Sequence, residues 1–516
     1  MSNYLLPLLI LIPAGAAVCL TAIPASRSSL FRYTALVVNL LQLGVLIALA
    51  AWFEPGTSNP ALEVRLPWLH LEAGPLGLLQ ADFYLAADGL NLPLIALSVV
   101  VFLMATLSSW PVSDKAKGYF ILLLVLNSAV IGTFAAMDVL LFFLFFEFLL
   151  LPMYFLIGIW GGERREYASI KFFLYTFFGS ILILIAIIIL YQAGNTFSLP
   201  ELAQQPFAGS ALQAGSSAQL GGLSVRVWAF LLLAGGFAIK LPLVPFHTWL
   251  PDAHVEASTP VSMILAALLL KIGGYGLARV AFPIFPQEAV QLSWLLGLIA
   301  VISIVYGALN ALAAKDLKRL IAYSSVSHMG FVLLGLTSGT TEGIAGSLYQ
   351  MVSHGLISTL LFGLAGVLYD RTHDRQIGHY SGLQAVMPRY TGLVLLAFFA
   401  ALGLPGFSGF IAEFLVLAGA FQSHYANHLI PLWMPLTALA GVIITAGFFV
   451  WTMQRMFFGN FFCRANIALT DLTLREKIIL YPLAAATLAL GLWPQPLLNW
   501  IQPFSDYLSR LLAQNI

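Results

Sequence analysis

What most constrains this chain is a run of apolar stretches, each long enough to cross a membrane, that continues almost end to end through its 516 residues. A helix rising 1.5 Å per residue needs about 20 apolar residues to span the hydrocarbon core of a bilayer. Short polar breaks separate the stretches. Charged residues make up 9% of the chain, against roughly 25% in a soluble globular protein. A soluble fold is thereby excluded, and an all-α polytopic membrane protein is expected.

About fourteen membrane helices are predicted by this spacing. They fall near 4–22, 32–53, 84–109, 119–137, 139–160, 171–192, 226–246, 259–281, 290–312, 319–338, 345–369, 390–420, 433–457 and 479–498. The first stretch lacks a charged start and an obvious small-residue cleavage site, so it reads as a retained helix. Polar insertions at about 54–83 and 193–225 read as periplasmic loops, and no soluble domain is expected after the last helix.

Lysine and arginine resist translocation, so their distribution predicts orientation. Seventeen of the 23, from Arg27 to Lys477 and including Lys318, fall on one side of the expected helices. Only Arg65, Arg226, Arg279 and Arg510 fall on the other, and Lys240 and Lys271 stay inside. Both termini are therefore expected on the periplasmic face of a bacterial inner membrane.

Cys19 and Cys463 are too far apart in sequence, and too few, for the thiolate sets that iron–sulfur or zinc sites use. No G-x-G-x-x-G opens a helix after a strand, so a dinucleotide site is not expected. Redox chemistry would have to happen in another chain. No nucleic-acid partner is expected.

Two apolar segments are interrupted in a similar way, at Lys240-Leu-Pro242 with Pro245, and at Gly403-Leu-Pro405-Gly406. Proline removes a backbone donor and frees carbonyls that lipid cannot satisfy, so such breaks face protein or a cavity. A matched pair of broken helices points to an internal repeat with ion sites at its interface. Two inverted five-helix repeats are expected, 119–281 and 282–457, preceded by three helices and a periplasmic loop in 1–118 and followed by a last helix and tail in 458–516.

Ionisable residues within these segments cost kilocalories to insert and need a reason. Glu147 has no polar neighbour in Leu141-Phe-Phe-Leu-Phe-Phe-Glu147-Phe-Leu-Leu-Leu. The bland reading is a neutral, hydrogen-bonded acid; the functional one is a proton-binding carboxyl paired with a buried lysine. In general burial favours a neutral carboxyl and a nearby ammonium favours its charged form, so a moving ammonium can toggle the proton. Lys240 stands just before its break, where it either snorkels to the surface or takes part in such a pair. Lys271 has full apolar runs on both sides. Glu413 follows the second break. His328 and His354 are hydroxyl-flanked histidines in apolar helices, suited either to packing or to an imidazole relay. His247, Asp252, His254 and Glu256 cluster at the first break; their spacing fits no H-E-x-x-H pattern, so His247, His254 and Asp252 are assigned to proton uptake or support of the break rather than to a metal.

These residues also carry a resemblance. Phe145-Phe-Glu147, Met153-Tyr-Phe-Leu-Ile-Gly-Ile-Trp-Gly-Gly162, Lys240-Leu-Pro-Leu-Val-Pro-Phe-His247-Thr-Trp-Leu-Pro-Asp-Ala-His254, Asp316-Leu-Lys-Arg-Leu-Ile-Ala-Tyr-Ser-Ser-Val-Ser-His328 and Leu404-Pro-Gly-Phe-Ser-Gly-Phe-Ile-Ala-Glu413 resemble the subunit M family of respiratory complex I. Its mitochondrial counterpart is subunit 4, and it belongs to the antiporter-like superfamily. The resemblance implies a subunit of a proton-translocating NADH:quinone oxidoreductase, with Glu147 and Lys240 as a coupled pair, Lys271 as central lysine and Glu413 as terminal acid. It also implies other antiporter-like subunits and a peripheral NADH-oxidising arm as partners, with FMN, iron–sulfur clusters and quinone held there and no cofactor in this chain. A subunit of a multi-chain sodium/proton antiporter, a subunit of a membrane-bound hydrogenase, and a scaffold with no ion path are the alternatives.

Overall fold

A computed structural model of the chain describes residues 4–56, 62–72, 78–205, 207–213, 218–465 and 467–516. Each expected apolar stretch coincides with helix, from Leu5–Thr21 to Leu474–Leu492. A lipid-facing backbone must satisfy its own hydrogen bonds, which a helix does residue by residue. Among the described residues nine helices are long and apolar enough to cross by themselves, or ten with the pair Leu474–Leu492 and Gln495–Ala513, bent by 67°. The expectation was about fourteen. The shortfall has two sources: Leu5–Thr21, Leu92–Ser108 and Pro388–Ala401 are shorter apolar helices, and Val225–Lys240 and Ser408–Ala426 each form one part of a helix interrupted by a turn.

Three helices make the centre. Thr259–Ile284 and Thr341–Thr372 are wholly buried across their apolar windows and Leu317–Thr337 nearly so, whereas Ser28–Trp52, Arg165–Gly194 and Trp433–Phe457 turn most of their surface outward. An apolar face gains nothing from meeting another in lipid, so close packing depends on small residues. Gly307 and Gly330 show this between Ser293–Ala313 and Leu317–Thr337: a Cβ on Gly307 would stand 2.6 Å from the Ser327 nitrogen, and one on Gly330 2.8 Å from the Ala300 carbonyl oxygen.

Three segments differ from the sequence reading. The stretch 54–83, read as a loop, contains an antiparallel hairpin of β1 (Glu63–Glu72) and β2 (Leu78–Ala86), with an irregularity between Pro67 and Leu69. β2 takes the first residues of the expected third helix, which starts only at Leu92 because the Asp88 carboxylate accepts the Leu90 and Asn91 N–H groups at 3.0 and 3.1 Å and turns the chain. The expected tail is the amphipathic helix Gln495–Ala513, whose Leu497, Ile501, Phe504, Leu508 and Leu512 are buried. Between 193 and 225, a short helix, Leu199–Gln204, and a small hairpin lie within the expected loop.

Candidate functional site

The first break follows from two prolines. Pro242 has no N–H to give the Ala238 carbonyl, and Leu243 N–H takes that acceptor instead at 3.0 Å. The Ile239 carbonyl loses Leu243 in turn and accepts the Trp249 indole N–H at 3.0 Å. Val244 N–H donates to Ser303 Oγ at 3.0 Å. The helix therefore stops at Lys240 with its loose ends met by protein.

The second break repeats the pattern. Leu402 N–H bonds Phe398 O, Leu404 N–H bonds Phe399 O and Phe407 N–H bonds Leu404 O; Leu241, Leu243 and Phe246 make the equivalent bonds in the first break, each 161 residues earlier. Pro405 has no N–H for the Ala401 carbonyl. His328 meets it, with Nε2 at 3.0 Å. An Nε2–H on His328 is the donor this acceptor requires.

Lys240, at the end of the first helix half, is 2% exposed. Among the described residues its ammonium has no hydrogen-bond partner, and it stands 4.6 Å from the centre of the Phe146 ring, with Phe172 at 5.9 Å. A cation over an aromatic face gains part of what it loses on leaving water. Glu147 lies beside Phe146 within electrostatic reach of Lys240, yet the two are not hydrogen-bonded; Glu147 Oε1 is buried without a partner. Glu147 is half-buried and Phe148 beside it is exposed, so Glu147 sits at the rim of the chain with Lys240 buried behind it.

Lys271 is at the centre, fully buried. Its helix contains two π-helical turns, Leu265–Leu269 and Leu277–Ala281, irregularities that recur at functional sites. The Lys271 ammonium donates to the Ala266 carbonyl in the first of these at 2.6 Å and lies 2.7 Å from His354 Nδ1. The His354 ring is 5.2 Å from that of His328, centroid to centroid. His328 Nε2 is 3.6 Å from Glu413 Oε1. Gly403, at φ +76°, stands against that carboxylate, where a Cβ would be 2.6 Å from Glu413 Oε2. Lys271, His354, His328 and Glu413 thus form one buried series; the two histidines follow in the reverse of their chain order. Among the described residues no hydrogen bond joins Lys240 to Lys271.

At the first break, Asp252 is ion-paired with Lys171 at 2.7 Å and lies 3.8 Å from Arg319. Glu256 accepts the Arg164 N–H at 3.0 Å. His247 packs edge-on against Tyr306, and His254 stacks on Phe362 with ring centres 4.4 Å apart. Among the described residues no group of three or more His, Cys, Asp or Glu is placed to hold a metal ion.

Two charges counted as loop residues are inside. Arg279 is ion-paired with Asp88 and lies under the Phe504 ring at 5.1 Å. Lys318 is 4% exposed and donates to the Ala257 carbonyl. The signal for Lys318 was helical spacing: Lys318, Ser325 and His328 recur at intervals that share one face of a helix.

The pattern of the NADH:quinone oxidoreductase/Mrp antiporter transmembrane family matches residues 136–439. An NADH-quinone oxidoreductase subunit M from Rhodobacter capsulatus is 39% identical over 505 residues, which cover 97% of this chain and 95% of that one. The chain belongs to this family. All six candidate residues from Glu147 to Glu413 lie within the part matched by the NADH:quinone oxidoreductase/Mrp antiporter pattern. A chain of respiratory complex I from Thermus thermophilus with bound NADH is similar throughout, at 31% identity and a TM-score of 0.83 over 99% of this chain and 100% of that chain. A chain of the Mrp complex from Dietzia sp. has the same TM-score at 20% identity, over 100% and 99% of the two chains, which shows the shared family fold. The chain is a multi-pass membrane protein.

Proposed function

We propose that this chain is a proton-translocating membrane-arm subunit of an NADH:quinone oxidoreductase, with Glu147, Lys240, Lys271, His354, His328 and Glu413 as its proton path. One observation carries the reading: the contact series from Lys271 through His354 and His328 to Glu413, at 2.7 to 3.6 Å where polar atoms meet. Charges cost kilocalories in the membrane interior, and a scaffold needs none of them in series. Imidazoles between an amine and a carboxyl accept and release protons near neutral pH.

The drive comes from outside the chain. Quinone reduction elsewhere in the assembly shifts charge in a neighbouring subunit; that shift reaches Glu147 at the rim, alters the hold of Glu147 on Lys240, and so biases Lys271 and the histidines beyond. FMN, iron–sulfur clusters and quinone belong to partner subunits, and other antiporter-like chains are the membrane neighbours. Residues 119–281 and 282–457 are the two inverted repeats, a reading supported by the constant offset of 161 residues between the bonds of the two breaks. Both termini face the periplasm.

The test is NADH-driven proton uptake by inverted membrane vesicles. Replacing Glu147 with Gln, or Lys240 with Ala, should abolish most pumping and quinone-coupled turnover while the complex still assembles. Normal coupled rates would sink the assignment. Purification of the tagged chain from native membranes separates the rival: companions carrying flavin and iron–sulfur clusters support this reading, and companions that are only membrane antiporter chains would move the assignment to an ion antiporter.

A further inference from the structure

We propose that the cytoplasmic end of the helix Trp433–Phe457, with the loop that follows it to Arg464, is a docking site for an anionic phospholipid of the cytoplasmic leaflet. The inference goes beyond the proton path and takes from the reading above only which end of the helices faces the cytoplasm. The helix itself marks the depth of the bilayer. Trp433 and Trp451 stand near its two ends and are both exposed. They are 18 positions apart in the chain, about 27 Å at 1.5 Å per residue, against a hydrocarbon core about 30 Å thick. No charged residue lies between them, and Leu436, Leu439, Ile443 and Val450 point outward. Tryptophan collects at both membrane–water interfaces, so this face meets lipid tails and Trp451 lies at the cytoplasmic headgroup boundary.

Arg455 stands one helical turn further on, at the height of a phosphate. Its guanidinium carbon is 4.3 Å from the centre of the Trp451 ring, a stacking that holds the planar group in one orientation. The residue is exposed, and among the described residues it has no ion pair and no hydrogen bond. From Trp451 to Thr470 the chain carries two arginines, Arg455 and Arg464, and no acid. Arg464 Nη1 donates to His379 Nε2 at 2.7 Å, and the other ring nitrogen, Nδ1, faces Asp374 at 2.5 Å. A neutral imidazole thus holds Arg464 in place without cancelling its charge. A guanidinium with free donors matches phosphate oxygens, and basic residues just cytoplasmic of a membrane helix attract acidic headgroups.

The loop supplies the apolar half of the site. Phe458, Phe461 and Phe462 are all exposed. They cannot simply fold back onto the chain, because the loop is fixed. Gly382 N–H donates to the Phe458 carbonyl at 3.2 Å, and Phe462–Cys463 pairs with Tyr380–Ser381. Gly382, at φ +62°, comes so close that a Cβ on it would be 2.6 Å from the Phe461 nitrogen. Exposed apolar side chains gathered in one place mark an interaction surface. Two features favour lipid over a protein partner here: the patch continues the lipid-facing side of the helix, and the arginine charge left unpaired matches the acidic headgroups of this leaflet. Arg455 then holds the phosphate, Arg464 adds charge to the same loop, and the phenyl rings enter the acyl region below.

The deciding experiment places the photoreactive p-benzoylphenylalanine at Phe461 in the full complex, irradiates native membranes and identifies the adduct by mass spectrometry. The expected adduct is a phospholipid, with phosphatidylglycerol over phosphatidylethanolamine several-fold above their ratio in the bulk membrane. Arg455→Gln leaves the Arg464–His379 contact intact and should return the adducts to the bulk ratio, while Arg455→Lys should keep part of the enrichment. Crosslinking to another subunit, or none at all, overturns the inference, as does a lipid adduct at the bulk ratio or an enrichment that Arg455→Gln leaves unchanged. If Arg455→Gln fails to assemble, the ratio in the otherwise unsubstituted complex decides alone. Glu147→Gln, measured in parallel, should give the wild-type adduct. A lost enrichment therefore removes only this site, and normal pumping by Glu147→Gln removes only the proton-path reading.

Discussion

The Lys271 ammonium and His354 Nδ1 stand 2.7 Å apart in the fully buried centre of the chain. A charged lysine can only donate across that gap, which puts the proton of a neutral His354 on Nε2. Two positive charges in this position would repel strongly in a low dielectric. The pair therefore holds at most one excess proton between two bases and behaves as a unit. Lys271→Arg and His354→Ala should each reduce pumping at least about tenfold without loss of the complex, and the double variant should be no worse than the weaker single one, because groups that act together are not additive. Proton uptake by vesicles from the three strains checks this. Additive losses would mean that the two residues act on separate steps.

Gly273 is where the Lys271 helix meets the first break. A Cβ there would lie 2.5 Å from the Leu241 nitrogen and 2.7 Å from the Phe237 carbonyl oxygen, the two backbone atoms whose hydrogen bond closes the helix that ends at Lys240. Neither can swing aside as a side chain does. Gly273→Ala should push the two lysine helices apart and cost about 1–3 kcal/mol, the usual penalty of overpacking. A lowered melting temperature of the detergent-solubilised complex would register it, with pumping reduced more than assembly. An unchanged melting temperature would show that the helices have slack at this crossing.

Asp88 and Arg279 are ion-paired close to the β-hairpin. Breaking a buried pair leaves one charge stranded at a cost of about 3–5 kcal/mol, whereas replacing both partners by apolar groups is often neutral. Asp88→Asn keeps the turn that starts the third helix but removes the charge, so it should sharply lower the yield of assembled complex. Asp88→Leu combined with Arg279→Met should recover much of that yield. Immunoblots of membrane fractions separate the cases, and equal losses in single and double variants would indicate that the turn at Asp88, rather than the pair, matters most.

Helix positions and the candidate residues could be read from the sequence because each rests on a local rule: apolar length for a span, proline for a break, a lone charge in an apolar run for a site. Their partners depend on packing between distant helices. Nothing near His328 in sequence shows that it meets the carbonyl left open by Pro405, and the order Lys271, His354, His328 reverses the chain order of the histidines. Lys318 and Arg279 look like loop charges in the sequence because charge counting cannot distinguish a side chain in water from one folded back between helices. The hairpin and the last amphipathic helix escaped for another reason: polar residues interrupt every apolar run in them before it reaches the length of a span.

Asp471 lies outside the membrane, in the segment before Leu474–Leu492, and accepts the N–H groups of Arg389 at 2.9 Å, Tyr390 at 3.0 Å and Leu472 at 2.8 Å. It caps the helix that leads into the second break. Burial raises its pKa, but the three N–H donors and the nearby Arg389 charge outweigh this and hold it below the usual 3.8. A depressed carboxylate stabilises the fold above its unfolded pKa and stops doing so as pH falls through its folded value. Removing the side chain with Asp471→Ala should cost about 1 kcal/mol at pH 7, and the difference from wild type should shrink on acidification below about pH 4. Melting temperatures of the two proteins across pH 3–7 test both parts, and a gap that does not narrow would assign the effect to packing.

Pro405 offers the most direct test of how the second break is used. Its missing N–H leaves the Ala401 carbonyl to His328 Nε2 at 3.0 Å, and that hydrogen bond fixes which nitrogen of His328 carries its proton. In Pro405→Ala the backbone regains a donor four residues after Ala401, the spacing at which an α-helix closes its own bonds. The helix can then extend, and the new N–H competes with His328 for one carbonyl. Released from it, His328 is free to turn toward Glu413 or toward His354, so the contact series loses its fixed geometry. Assembly should persist, since the Ala401 carbonyl keeps a donor either way, while proton uptake per NADH oxidised should fall several-fold, less than on loss of a proton-carrying group. Substituting Ala for His328 in the same background should then add little further loss. Wild-type pumping by Pro405→Ala would mean that the His328 bond to Ala401 is incidental and that Glu413 alone orients the ring.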